Sequence, residues 1–445
     1  MIASWLIVVV SLAILLLFGF GVLSLIVRDG SLFWFEQAAY SFVIGIGAGA
    51  MLWAALMPVL GAQVRWVIAL MAGAMFIRKW GRVPFSPAPA KKAPDPVSVV
   101  LSAVLGLQFG ILMLAALRTP LGWDALFNWE IKARLAFEHQ GRLPLAYFSD
   151  VSRSWSHPRY PLAVPFAEFW LYSWLGRVDQ TVVKVLFPLY FFAATAAVCG
   201  PVRRIAGSRA ALVAGIALGL IPPLTVGPGA VTGYADVPLA AAIGGALACA
   251  MLAEERSRPD LYLLAGVLAA VAAWTKSEGL LITMIAGIAA VLISSHRVPL
   301  WARASMIWMP LVAIGPWLVF QHRYGMPEAD FPSFSPAVAM AHLHSLPSIA
   351  IRIARALMPP GRWGLLWPGF VITLVVTWLT GKMDRAGGLM AAAVVVPLGA
   401  YTMVFLFSGW DNVLEHVGVS IERLLTPLAP TALAFVMSRV WPSST

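Results

Sequence analysis

The chain has 445 residues, 60% of them hydrophobic and only 11% charged, with a formal net charge of +11 and a mean hydropathy of +0.83. This balance excludes a soluble globular fold, and the long continuous apolar runs exclude a transmembrane β-barrel, whose strands alternate. The 31 lysines and arginines are scattered over short loops without forming a stripe, so nucleic acid is not an expected partner.

In chain order, apolar runs predict spans near 5–27, 36–60, 63–79, 97–117, 181–199, 209–226, 235–253, 260–275, 278–294, 303–320, 362–380, 386–408 and 422–440, about 13 in all. The first, Trp5 to Val27, exceeds a signal-peptide core and is followed by no small-residue cleavage pattern, so it counts as a span. Residues 1–80 then form an N-terminal three-helix transmembrane extension, 81–96 a Pro-rich cytoplasmic linker, and 97–441 the main transmembrane module. Cys199 and Cys249 each lie inside an apolar run, which points to packing and gives no support to a disulfide framework or cysteine zinc site.

The run Pro161 to Gly176 is short and carries Pro165 and Glu168. Orientation decides its place. The basic loops at 78–92, 203–209, 256–258, 297–303 and 382–385 hold most of the short-loop positive charge and should share the cytoplasmic side. They do so only if 161–176 lies in the interface as an amphipathic helix. The N-terminus is then outside and the C-terminus inside, with outer loops at 118–180, 321–361 and 408–421. Every histidine except His296 falls in those loops.

In the first outer loop a helix is expected in which Asp124, Asn128 and Lys132 share one face and Leu126, Trp129, Ala133, Ala136 and Phe137 the other, lying on the membrane surface. Asp124 suits a helix cap, but an acid at the membrane boundary is also within reach of a lipid-borne headgroup. His157-Pro-Arg-Tyr160 presents polar and aromatic groups between prolines, as an interfacial anchor or a substrate contact. Asp236 opens a span, where capping alone would explain it. Lys276 and Glu278 share a tight turn and could simply neutralise each other. Arg423, at the start of the last span, is costly unless paired or ligand-facing, and a guanidinium suits a phosphate. His342 and His344 lack the spacing of a helical metal pair, although His322, Glu328 and Asp330 could add ligands. No P-loop, Gly-Xaa-Ser-Xaa-Gly or Rossmann signature is present, which argues against a nucleotide-driven pump.

The ordered set Trp123-Asp124…Asn128-Trp-Glu-Ile-Lys132, His157-Pro-Arg-Tyr160-Pro, Gly233-Tyr-Ala-Asp236-Val-Pro, Thr275-Lys276-Ser-Glu278-Gly and Glu422-Arg423-Leu-Leu resembles the GT-C superfamily of polytopic glycosyltransferases. It is most similar to bacterial members related to the aminoarabinose and protein O-mannosyl transferases, over roughly residues 97 to 441. The resemblance implies an all-α integral membrane protein with about 13 transmembrane helices and periplasmic juxtamembrane helices, in the bacterial inner membrane. It implies inverting transfer of a sugar from a polyprenyl-phosphate donor to a glycan, lipid or protein acceptor at the outer face. Asp124 matches the acid at the reaction centre and Asp236 the second-loop acid, while Lys276 and Arg423 match positions suited to the carrier phosphate. Asn128, Lys132, His157, Tyr160 and Glu278 are the remaining expected donor or acceptor contacts. Many relatives carry an acid after the first aspartate, where this chain has Ala125; no cofactor is certain, and a divalent metal is left open. A transporter or flippase of a lipid-linked or small anionic substrate is the main alternative, and a non-catalytic scaffold the other.

Overall fold

The computed structural model describes residues 2–79, 95–328, 330–331 and 334–441. The linker expected at 81–96 lies almost wholly outside them. The described residues are helical and contain no strand, which follows from a chain whose backbone groups must be satisfied within each segment when no water is at hand. The principal helices are α1 (Ile2–Ile26), α2 (Trp34–Leu60), α3 (Val64–Lys79), α4 (Pro96–Arg118), α5 (Ile131–Glu138), α6 (Ala163–Leu175), α7 (Leu186–Leu218) and α8 (Asp236–Arg256). They are followed by α9 (Pro259–Thr275), α10 (Ser277–Ile293), α11 (Ser305–Arg323), α12 (Leu346–Ala356), α13 (Leu366–Leu379), α14 (Arg385–Val404), α15 (Val413–Leu425) and α16 (Ala429–Val440).

Every predicted span is represented by helix, but the count differs. Among the described residues eight stretches are long and apolar enough to cross a membrane: Ile2–Ile26, Trp34–Arg78, Pro96–Arg118, Val182–Leu218, Asp236–Arg256, Pro336–Ala356, Arg385–Phe407 and Val413–Val440. The chain is a multi-pass membrane protein. Part of the shortfall from 13 is length: α9, α10 and α13 are apolar but have only 17, 17 and 14 residues, and each residue advances a helix by about 1.5 Å. Part is counting, because two stretches turn within themselves. Gly61 breaks the first at φ 53, and Gly207, at φ 88, separates two helical pieces inside α7. Pro336–Ala356, expected as outer loop, is itself a candidate span.

The core is organised around α8, which is buried over the whole of its most apolar window. Its sequence, rich in Ala and Gly, lets neighbouring backbones come close, and α7, α9 and α14 pack against it. Gly245 meets the ring of Tyr40 on α2, and Gly244 faces Ala197 on α7. The first three helices are joined to the rest. Glu36 on α2 and Arg204 on α7 form a buried pair at 2.5 Å, with a second hydrogen bond at 2.8 Å. A Cβ on Gly19 would lie 1.8 Å from the Ser41 carbonyl oxygen, so bare glycines let α1 and α2 cross in contact.

Two expected surface helices are not surface helices. α6 is covered along Ala163–Ser173 by α1, α2, α5 and α9, because its aromatic residues pack on every side: Trp53 stacks on Phe169, and the Trp170 indole donates to the Ser11 carbonyl. The helix after Asp124 starts as a π-turn over Ala125–Glu130, and Asn128, Trp129 and Lys132 are all buried. Residues of both predicted faces, Asn128 and Lys132 on one and Trp129 on the other, are thus interior.

Candidate functional site: a chain of charges joining four segments

Asp124 makes no capping hydrogen bond. Its Oδ2 lies 2.5 Å from Nη1 of Arg423, which comes from the last turn of α15. Arg423 Nε reaches Oδ2 of Asp236 at 3.4 Å, and Oδ1 of Asp236 accepts from Lys276 Nζ at 2.9 Å. Lys276 also lies 2.9 Å from Glu278. The result is an unbroken relay, Asp124–Arg423–Asp236–Lys276–Glu278, assembled from the first long loop, the start of α8, the α9–α10 turn and α15. Asp236 and Lys276 are almost fully buried, whereas Arg423 and Asp124 keep 24% and 16% of their side-chain surface open. Glu278 keeps 20% open at the other end, so the chain of charges is buried in the middle and partly open at both ends.

Local structure explains each placement. Lys276 sits in extended backbone between α9 and α10, so the chain reverses there and turns its side chain inward to α8. Asp236 is the first residue of α8, directly after the Gly233 turn at φ 82, and its carboxylate is held by side-chain cations, not by helix amides. The ring of Tyr234 in the same turn lies 5.3 Å below the Arg423 guanidinium, a cation–π contact that fixes the guanidinium plane. Arg423 does not open the last apolar stretch as expected; it ends α15, which occupies most of the supposed 408–421 loop and runs on into α16 within the stretch Val413–Val440.

A second group adjoins this relay. Trp129, Tyr160 and His157 stack in series at 5.0 and 4.8 Å. His157 occupies the left-handed region at φ 45, a strained position for a non-glycine residue. Lys132 Nζ stabilises the turn by donating to the carbonyls of Asn128 (2.9 Å), His157 (2.8 Å) and Ser156 (3.5 Å). Burial pushes the Lys132 amine down to about 7. It also lowers the His157 imidazole, whose ring is 4.0 Å from Glu328 and 3.9 Å from Asp330 and feels the charges of Asp124 and Arg423. Burial, then the Glu278 charge, pushes the Tyr160 phenol well up.

The three loops grouped by charge meet here. The Arg159 carbonyl accepts from Trp317 (3.0 Å) and Gln321 (2.7 Å) on α11, and Asp330 accepts from the Trp410 indole at 3.0 Å. Asp124, Lys132, His157, Tyr160, Asp236, Lys276, Glu278 and Arg423 thus share one region, with Asn128 contributing its backbone carbonyl. His342, proposed beside His344 as a metal ligand, is turned to the Leu406 carbonyl at 3.0 Å, and no group of three or more His, Cys, Asp or Glu suited to a metal occurs among the described residues. Tyr234 was missed in the sequence, although its place two residues before Asp236 signals it. Glu130 and Glu168 were missed too: Glu130 accepts from Tyr172 at 3.0 Å, and Glu168 is fully buried without a hydrogen-bond partner among the described residues, its carboxyl raised well above the usual range by burial.

No family model, curated protein or solved structure matches the chain.

Proposed function

We propose that this protein is a GT-C-like membrane glycosyltransferase that moves a sugar, with inversion, from a polyprenyl-phosphate donor to an acceptor at the outer face of a bacterial inner membrane. The single observation that carries the reading is the partly open Arg423 guanidinium held between two carboxylates, Asp124 at 2.5 Å and Asp236 at 3.4 Å. An arginine so placed can exchange one carboxylate for a lipid phosphate and release the other for proton transfer.

In the proposed reaction an acceptor hydroxyl oxygen attacks the anomeric carbon and its proton passes to Asp124. The bond from that carbon to the phosphate oxygen breaks, and the electron pair leaves with the polyprenyl phosphate, whose charge Arg423 and Lys276 stabilise. Asp236 positions both cations. Glu278 Oε2, buried with no protein partner among the described residues, is an acceptor suited to a sugar hydroxyl. Lys132 acts through the backbone, holding the strained His157. The topology of about 13 spans with an outside N-terminus belongs to the same proposal. The gathering of these charges at one end of the helices favours transfer over transport, which uses broken helices with sites near the midplane.

Mass spectrometry of lipids co-purifying with the wild-type chain and with Asp124→Asn tests the reading. Enrichment of a polyprenyl-phosphate sugar on the variant is expected, since it binds donor without turnover. Identical bulk phospholipid on both, or one small solute on both, would overturn it in favour of transport or scaffolding.

A further inference from the structure

One cavity lies apart from the charge relay and shares none of its residues. It encloses about 570 Å³ where the α2–α3 turn meets the chain following α5 and the end of α6, a size typical of small-ligand pockets. Its polar lining includes Arg65, Arg142 and Gln63, and no aspartate or glutamate lines it. Phe137 and Phe169 form apolar walls, and Val59, 77% exposed near the end of α2, also lines the cavity.

Arg65 is presented, not loose. One of its nitrogens donates to the Ser173 carbonyl, and the guanidinium rests 5.4 Å from the Trp66 ring and 5.6 Å from the Trp174 ring. Its Nε is buried with no protein partner among the described residues. Arg142 also lines the cavity, and its guanidinium donates to the Val59 carbonyl at 3.4 Å. Two arginines lining a cavity with no carboxylate among its described lining residues suit an anion, because each supplies charge-assisted, directional donors. The apolar walls and the exposed apolar Val59 suit a chain attached to that anion.

We propose that this cavity binds a phosphate headgroup, with Arg65 and Arg142 as its two cationic contacts and the attached acyl or prenyl chain leaving past Val59. The source of the phosphate is an amphiphile in the membrane or a free phosphate. The site is independent of the transfer reaction.

The test is calorimetric titration of the full-length protein in a neutral detergent with dioctanoyl phosphatidic acid, dioctanoylglycerol and inorganic phosphate. Phosphatidic acid should bind saturably and dioctanoylglycerol should not. Arg142→Gln, an exposed position whose loss does not disturb packing, should weaken binding about tenfold, the loss of one charge-assisted pair. Arg65→Gln should do the same. Because the Arg423 region can also attract a phosphate, the titration is repeated in an Arg423→Ala background, where the Arg142-dependent component should persist. Inorganic phosphate binding as tightly as phosphatidic acid assigns the site to a soluble anion; much weaker binding assigns it to a lipid. Equal affinity in wild type and Arg142→Gln, or equal binding of dioctanoylglycerol, would overturn the proposal.

Discussion

Lys276 and Asp236 stand 40 positions apart in sequence and 2.9 Å apart in space, both almost fully removed from solvent. Breaking a buried pair from one side leaves an uncompensated charge, at a cost of about 3–5 kcal/mol. Lys276→Met should therefore strongly lower stability against denaturant in detergent. The double variant Lys276→Met with Asp236→Asn should recover a large part of the loss. Simple additivity of the two single effects would show that the pair is not coupled.

Arg423 contacts two carboxylates through different nitrogens, a geometry that a lysine ammonium cannot reproduce. Both Arg423→Lys and Arg423→Ala should cut co-purifying carrier lipid at least about tenfold. Asp236 keeps its Lys276 partner in either variant, so the fold should survive. Undiminished carrier lipid on a folded Arg423→Ala protein would remove the residue from the proposed donor site.

Lys132 gives a pH signature. Its amine is depressed to about 7 by burial, whereas in the unfolded chain it holds its proton up to about 10.4. Between those values the unfolded state binds more protons, so stability rises with pH across that window from this group and is flat below it. The difference in melting temperature between wild type and Lys132→Met should therefore grow from pH 7 to pH 9.5. Parallel pH profiles would mean that Lys132 does not titrate there.

Close approach of α1 and α2 supplies a test of the N-terminal packing. A Cβ at Gly19 meets backbone at 1.8 Å, whereas one at Gly73 meets nothing within 4 Å. Gly19→Ala should destabilise by about 1–3 kcal/mol and Gly73→Ala should be neutral or better, read by denaturant titration of the two variants in parallel. Equal behaviour of the pair would refute the tight crossing.

Polar residues at the edges of apolar runs were legible because each stands where a charge is costly. Asp124, Asp236, Lys276 and Arg423 could be singled out on that ground alone, although helix capping explained the two aspartates equally well. What the sequence concealed is three-dimensional. The π-turn at Ala125–Glu130 changes which face Lys132 presents, and periodicity assumes a regular helix. Glu168 hides within a short aromatic run that the distribution of basic loops placed in the interface, and only its packing against α1, α2, α5 and α9 shows it to be interior. α15 escaped because its amphipathic stretch merges into the apolar run that follows.

The burial of α8 on every side bears on how the chain is made. α8 leaves the ribosome after α2 and α7 but before α9 and α14. For part of synthesis its small-residue surface and the carboxylate of Asp236 must therefore meet lipid or a chaperone, with Lys276 and Arg423 not yet made. Asp236 gains its first partner only when Lys276 arrives, so a ribosome that stops short of residue 276 leaves an unneutralised acid at a helix end. Such a defect is a chemical mark by which membrane quality control can distinguish an unfinished chain from a finished one.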